Sequence, residues 1–258
     1  MDWLSTFAGW IVGMVVGFTG VGGGALMTPL LVLMFGVSPQ MAVGTDLLYA
    51  TVTKCVGSSI HGALGAINWY VLRRLWLGSL PAAALTLWIL EHTPGGRELG
   101  HYILPVLGGV LLATGVIMLA SRRFAQQLRE SPLTTRLKPM QSLFTVLAGA
   151  ALGFLVTLTS VGAGAIGVVM LVYLYPQRLH GQRLVGTDIA HAIPLTLLAG
   201  LGHAKLGHVN FPMLGSLLLG SIPGIAAGSF LSHRVDASLV RGAIAVMLVV
   251  IGGKLLLP

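Results

Sequence analysis

Thr19-Gly20-Val21-Gly22-Gly23-Gly24-Ala25 interrupts an apolar run that extends from residue 3 to residue 35. A single bilayer crossing takes about 20 residues, so that run is too long for one. Glycine clusters break or kink helices. The stretch therefore predicts two short helices joined by non-helical backbone. It has a twin: Thr159-Ser160-Val161-Gly162-Ala163-Gly164-Ala165 interrupts a second over-long run, 141–176, at an offset of 140 residues.

Three more islands recur in the same order, each at an offset of 142. Val43-Gly44-Thr45-Asp46 returns as Val185-Gly186-Thr187-Asp188. His61-x-x-Leu64-Gly65-x-x-Asn68 returns as His203-x-x-Leu206-Gly207-x-x-Asn210. Gly78-Ser79-x-Pro81 returns as Gly220-Ser221-x-Pro223. Ordered islands at a nearly constant offset mean duplication. The expected organisation is a first membrane repeat over 1–121, a basic linker over 122–140 and a second membrane repeat over 141–258.

Composition sets the solvent. The 258 residues are 55% hydrophobic and 9% charged, with a mean hydropathy of +0.89. Soluble domains carry about a quarter charged residues. Apolar runs at 3–35, 41–60, 70–90, 102–121, 141–176, 184–203, 211–232 and 238–257 leave no room for a soluble domain. The chain reads as an all-α integral membrane protein. The net charge of +8 sits in short loops, where it is a topology signal and not a nucleic-acid site. Cys55 is the only cysteine, so no intrachain disulfide forms. Met1-Asp2-Trp3 lacks a basic n-region, so no cleaved signal peptide is expected.

The basic residues also orient the halves. If each glycine-broken run turns back on itself, each half crosses an odd number of times and the second half is inverted. With the 122–140 loop in the cytoplasm, Arg73, Arg74, Arg122, Arg123, Arg129, Arg136, Lys138, Arg178, Arg183, Arg234 and Arg241 all lie inside. Arg97, Lys205 and Lys254 lie outside, and Lys54 lies within a span. If each long run crosses once, Arg178, Arg183, Arg234 and Arg241 move outside, against the positive-inside rule. The expectation is two inverted-topology repeats, each with a broken or re-entrant first helix pair plus three spanning helices. Segments of 14 to 17 residues leave thin crossings and re-entrant hairpins both open.

Paired broken helices in inverted repeats mark transporters, with substrate near the midplane. Unwound backbone at membrane depth must line a cavity or be buried in protein. Half-helix N-termini present N–H groups and a positive dipole end, which suits an anion. Candidate substrate-binding residues are Thr19, Gly20, Gly22, Gly23, Gly24, Thr45, Lys54, Thr159, Ser160, Gly162, Gly164 and Thr187. The competing reading is that the glycines only let helices pack closely.

Asp46 and Asp188 are candidate coupling or proton-carrying groups, because intramembrane charges are costly and face a cavity or a partner. The plainer reading is that each caps the start of a helix. His191, one turn after Asp188, is a candidate to share its proton. Lys54 has Thr196 as its second-half equivalent, so any site is asymmetric. His61 and His203 read as interfacial histidines ending their spans. No nucleotide-binding loop, nucleophile elbow or His-Glu-x-x-His motif occurs. The chain does not read as an enzyme, and neither a cofactor nor a metal site is expected.

At these residues the chain resembles the TauE/SafE family of sulfite-exporter-like permeases. The resemblance covers nearly the whole chain. It rests on Gly17-Phe18-x-Gly20-Val21-Gly22-Gly23-Gly24 with Pro29, on Ala42-Val43-Gly44-Thr45, on His61 through Asn68, and on their second-half counterparts. Ala163 stands where the family has glycine, Pro29 has no counterpart at Val169, and Asp46 and Asp188 depart from the family pattern. The resemblance implies ATP-independent movement of sulfite or organosulfonates across the cell inner membrane. The expected partners are a small anionic substrate and the lipid bilayer, with a homodimer allowed and nucleic acid not. Two alternatives stand beside this: a proton-coupled carrier of a cation or metal ion using Asp46 and Asp188, and a non-transporting membrane assembly protein.

Overall fold

The computed structural model describes residues 3–19, 24–61, 67–93, 96–129, 140–162, 164–175, 178–179, 181–231 and 237–257. Among these, every regular element is helical. The helices are α1 (Trp3–Thr19), α2 (Gly24–Leu33), α3 (Pro39–His61), α4 (Trp69–His92) and α5 (Gly96–Arg129). After the central stretch come α6 (Gln141–Thr159), α7 (Ala165–Leu174), α8 (Gly181–Lys205), α9 (Phe211–Leu231) and α10 (Ala237–Leu256).

Both over-long runs are split into two helices, α1 with α2 and α6 with α7. The lengths decide what the second pieces can do. α2 and α7 have 10 residues each, or about 15 Å at 1.5 Å per residue, half of a hydrocarbon core of about 30 Å. As described, each is shorter than a full crossing. Among the described residues, four helical stretches suffice by length and apolarity to cross a bilayer: Ile103–Ala120, Gln141–Thr159, Arg183–Lys205 and Phe211–Leu231. α3 and α4 have the length, at 23 and 24 residues, but carry Asp46 with Lys54 and Arg73, Arg74 with Glu91. The expected linker also differs: α5 continues as helix to Arg129, so 122–129 is not loop, and 130–139 lie outside the described residues.

The molecule is polar inside and apolar outside. Leu77, Leu85, Trp88, Leu119, Phe154 and Phe230 are exposed, while Asp46, Lys54, Asp188, His191 and many threonines are buried. That distribution suits a lipid solvent, in which apolar surface costs nothing and polar groups must find partners within the protein.

Glycines set the closest contacts. Gly9 and Gly13 of α1 lie on Leu217 and Ser221 of α9, where a Cβ would overlap main-chain oxygens. Gly149 and Gly153 of α6 lie in the same way on Leu75 and Ser79 of α4. The second contact is the first shifted by 140 on one helix and 142 on the other. In both pairs the residue numbers rise together, so the helices run parallel. α3 and α8 run antiparallel, since Leu48 meets Gly200 and Thr51 meets Thr196. α5 and α10 are antiparallel too, with Gly115 against Ala245 and Leu112 against Gly252. The first helix of each half thus packs on the fourth helix of the other.

The turns into α4 and α9 are built alike. Asn68 Oδ1 accepts the N–H of Val71 at 3.3 Å, and Asn210 Oδ1 accepts that of Met213 at 3.1 Å. Each cap satisfies an orphan helix donor.

Candidate functional site

The backbone at the second break is unusual in detail. α6 ends on Ser160 in the left-handed region, φ 59°, a conformation uncommon outside glycine. Gly162 follows at φ 116° and Gly164 at φ 155°. Gly162 O accepts the N–H groups of Gly164 and Gly167, which turns the chain into α7. Thr159 Oγ1 donates to Leu155 O and accepts the N–H of Val161 at 3.2 Å, so its hydroxyl secures the break itself.

Asp46 comes to this break from the other half. The Thr28 N–H donates to Asp46 Oδ2 at 3.1 Å, and the Thr28 hydroxyl donates to the same oxygen. Thr28 precedes Pro29, whose missing N–H loosens that turn of α2. Ser160, at the end of α6, lies beside the Asp46 carboxylate. Thr28 was not among the residues expected at the site. Asp188 packs against α7, where a Cβ on Gly167 would overlap its Oδ1.

Lys54 completes the group. Its exposure is 4%, against 0% for Asp46, 4% for Asp188 and 3% for Ser160, so the three charges are sealed from solvent. The Lys54 ammonium lies within electrostatic range of both carboxylates and acts more strongly on Asp188 than on Asp46. Beside it, Thr51 Oγ1 donates to Thr196 Oγ1 at 2.9 Å across the α3–α8 seam.

The capping reading of the aspartates is corrected here. Asp46 and Asp188 do not cap their own helices, because α3 starts at Pro39 and α8 at Gly181, about two turns earlier. Thr45 and Thr187 serve the frame. Thr45 Oγ1 accepts the N–H of Asn210 at 3.0 Å, and Thr187 Oγ1 accepts the N–H of Asn68 at 3.0 Å while donating to Arg183 O. Each holds the loop of the opposite half. His191 Nε2 hydrogen-bonds Ser79 Oγ of α4 at 2.9 Å. His203 is buried, and its Nε2–H donates to Thr157 O at 2.9 Å. Gly20, Gly22 and Gly23 lie outside the described residues, as do the side chains of Thr19 and His61; Gly24 starts α2. A cavity of about 720 Å³ is lined by Ser5 of α1 and by Asn210, Phe211, Ser216 and Leu219 at the start of α9.

Buried charges beside a broken helix in a lipid-facing helical bundle define a class, the multi-pass membrane transporter. The family follows from comparison. The model of the sulfite exporter TauE/SafE family matches residues 5–255, and the chain belongs to that family. A probable membrane transporter protein of Bacillus subtilis, YjnA, is 38% identical over 250 residues, covering 96% of this chain and 97% of that one. A probable membrane transporter protein of Xylella fastidiosa is 27% identical over 90% of this chain and 85% of its own length. One of Methanocaldococcus jannaschii, MJ0441, is 24% identical over 98% and 95%. No solved structure matches.

Proposed function

We propose that this protein moves a small anion, with sulfite and organosulfonates first among the candidates, across the cell inner membrane by alternating access. The single observation that carries this reading is the sealed group of Asp46, Lys54 and Asp188 beside the α6–α7 break. Buried intramembrane charges are expensive and mark ion or substrate pathways. Lys54 is the one buried fixed cation among the described residues that could face an anion. With both carboxylates ionised the group carries a net charge of −1. An anion would be repelled unless one small cation travels with it, and a proton on a carboxylate is the simplest such partner.

The moving parts in this proposal are two inverted repeats. The antiparallel pairing of α3 with α8 and of α5 with α10 supports it, because each pair joins equivalent helices. So do the reciprocal bonds Thr45–Asn210 and Thr187–Asn68. The Lys205–Glu91 ion pair, 2.8 Å, ties the ends of α8 and α4 far from Arg74, which fits basic residues gathered on the cytoplasmic side.

The test is flux in proteoliposomes containing the full chain, with sulfite, sulfate, thiosulfate and simple organosulfonates inside or outside. Flux of at least one of these, driven by an imposed pH gradient and cut at least tenfold by Lys54→Met, is the expected result. No flux above empty vesicles across the panel, or flux of cations alone, would overturn the proposal.

A further inference from the structure

His203 and His208 flank the C-terminus of α8, and the turn between them sets their rings against each other. Gly207 takes the left-handed conformation, φ 77°. The N–H of His208 donates to His203 O at 2.8 Å, and that of Gly207 to Ala204 O at 3.1 Å. This nested pair of bonds is a Schellman motif, which brings the side chains of its two end positions together. The contact they make is ordinarily apolar. Here it joins two imidazoles, with ring centroids 5.6 Å apart. His203 is 1% exposed and His208 is half-buried. Among the described residues, the Nδ1 of each ring is buried and has no hydrogen-bond partner. Buried polar atoms are nearly always paired, so two such nitrogens in one contact point to a missing ligand.

We propose that the Nδ1 atoms of His203 and His208 form a site for one divalent transition metal ion, zinc. The tautomer of His203 is set by its other nitrogen. Nε2–H donates to Thr157 O, so in the neutral ring Nδ1 carries a lone pair. A metal-ligating histidine commonly donates its second ring N–H to a main-chain carbonyl in this way. The ring separation fits as well. With Zn–N bonds of about 2.0–2.1 Å, two imidazoles at angles between tetrahedral and trigonal hold their centroids about 5–5.5 Å apart. Imidazole nitrogen suits zinc, nickel and copper, and not magnesium or calcium. Among the described residues no cluster of three or more His, Cys, Asp or Glu occurs, so water completes the coordination and the ion is exchangeable. Half-buried His208 gives it a way in. The turn is wedged on α3, where a Cβ on Gly44 would overlap His208 O, and is tied through His203 to Thr157 of α6. The ion therefore sits at a corner shared by both halves. The first half has Ala66 at the position of His208, so the pair belongs to the second half alone. The site stands independently of the anion-transport proposal.

The test needs no substrate. The full chain, freed of any polyhistidine tag, is purified in detergent and treated with a chelator, and its Tm is then read against added Zn²⁺ or Mg²⁺. Zinc should raise Tm by about 2–4 °C in a saturable and chelator-reversible manner, and magnesium should not. Equilibrium dialysis should find one tightly held zinc per chain. His208→Leu restores the apolar pair that this turn ordinarily carries, and His208→Ala copies the first half. Both should fold with an ordinary Tm in chelator, lose the zinc shift and bind zinc at least tenfold more weakly. His203→Gln, which keeps a side-chain N–H for Thr157 O, should behave in the same way. No zinc shift in the wild type, or a shift and a stoichiometry that survive His208→Leu and His208→Ala, would overturn the site.

Discussion

Asp46 and Asp188 close the same four-residue island, sit about two turns into equivalent helices and are almost equally buried. Their neighbours differ. Asp46 takes two hydrogen bonds from Thr28 and faces Ser160, while Asp188 lies against Gly167 with Lys54 as its chief counter-charge. Duplication copied the backbone frame and left the chemistry free to diverge. Around the carboxylates the frame is held in matching ways by the two Thr–Asn bonds and the two glycine-lined contacts. The divergence is concentrated at Lys54 against Thr196 and at the two breaks.

The comparison can be broken most forcefully at Lys54. Lys54→Met leaves Asp188 buried without its main counter-charge and should cost about 3–5 kcal/mol of stability at neutral pH, read by unfolding in detergent. Adding Asp188→Asn should recover most of that loss, and adding Asp46→Asn clearly less. Equal recovery would mean that Lys54 serves both carboxylates alike. Next come the glycine contacts. Gly78→Val and Gly220→Val each drive a side chain into the main chain of the facing helix, near Val146 and Thr6 respectively. Both should destabilise by about 1–3 kcal/mol or more, and by similar amounts.

Thr45→Ala and Thr187→Ala sharpen the comparison further. Each strands the N–H of an asparagine in the opposite half, at about 1–3 kcal/mol. Matched losses would support a shared frame, whereas a loss confined to one would argue that the halves are held differently. The smallest effect is expected at Glu91. Lys205 holds its carboxyl below the usual range through a hydrogen bond and its charge. That contribution is present above the ordinary carboxylate pKa and is lost as pH falls through the lowered value. Glu91→Gln should therefore flatten a slight loss of stability at acid pH and change little at neutral pH.

The broken runs were legible from residues 19–25 and 159–165, because glycine clusters inside over-long apolar segments have one local meaning. Half-helices and thin crossings both fitted the sequence, because the choice depends on where each helix stops; as described, α2 and α7 have 10 residues each. Asp46, Asp188 and Lys54 were legible as charges in apolar surroundings. Thr28 was missed because it lies in an apolar stretch without a motif and reaches Asp46 only through tertiary packing. The cross-half bonds of Thr45 and Thr187 were not legible for a related reason. Spacing shows which residues share a helix, but the loop that each threonine holds belongs to the other half, and no local pattern carries that pairing. The capping reading of the aspartates failed because α3 and α8 begin before the Val-Gly-Thr-Asp islands, glycine included, once tertiary packing supports those turns.

The central claim is that these sealed charges serve the passage of an anion. The most direct measurement is sulfite flux into proteoliposomes made with the wild-type chain and with Lys54→Met/Asp188→Asn. That pair removes one charge of each sign and leaves the net charge of the group unchanged. The account predicts robust flux for the wild type and at least a tenfold loss for the double variant, with its fold intact by unfolding. Undiminished flux in the double variant would contradict it.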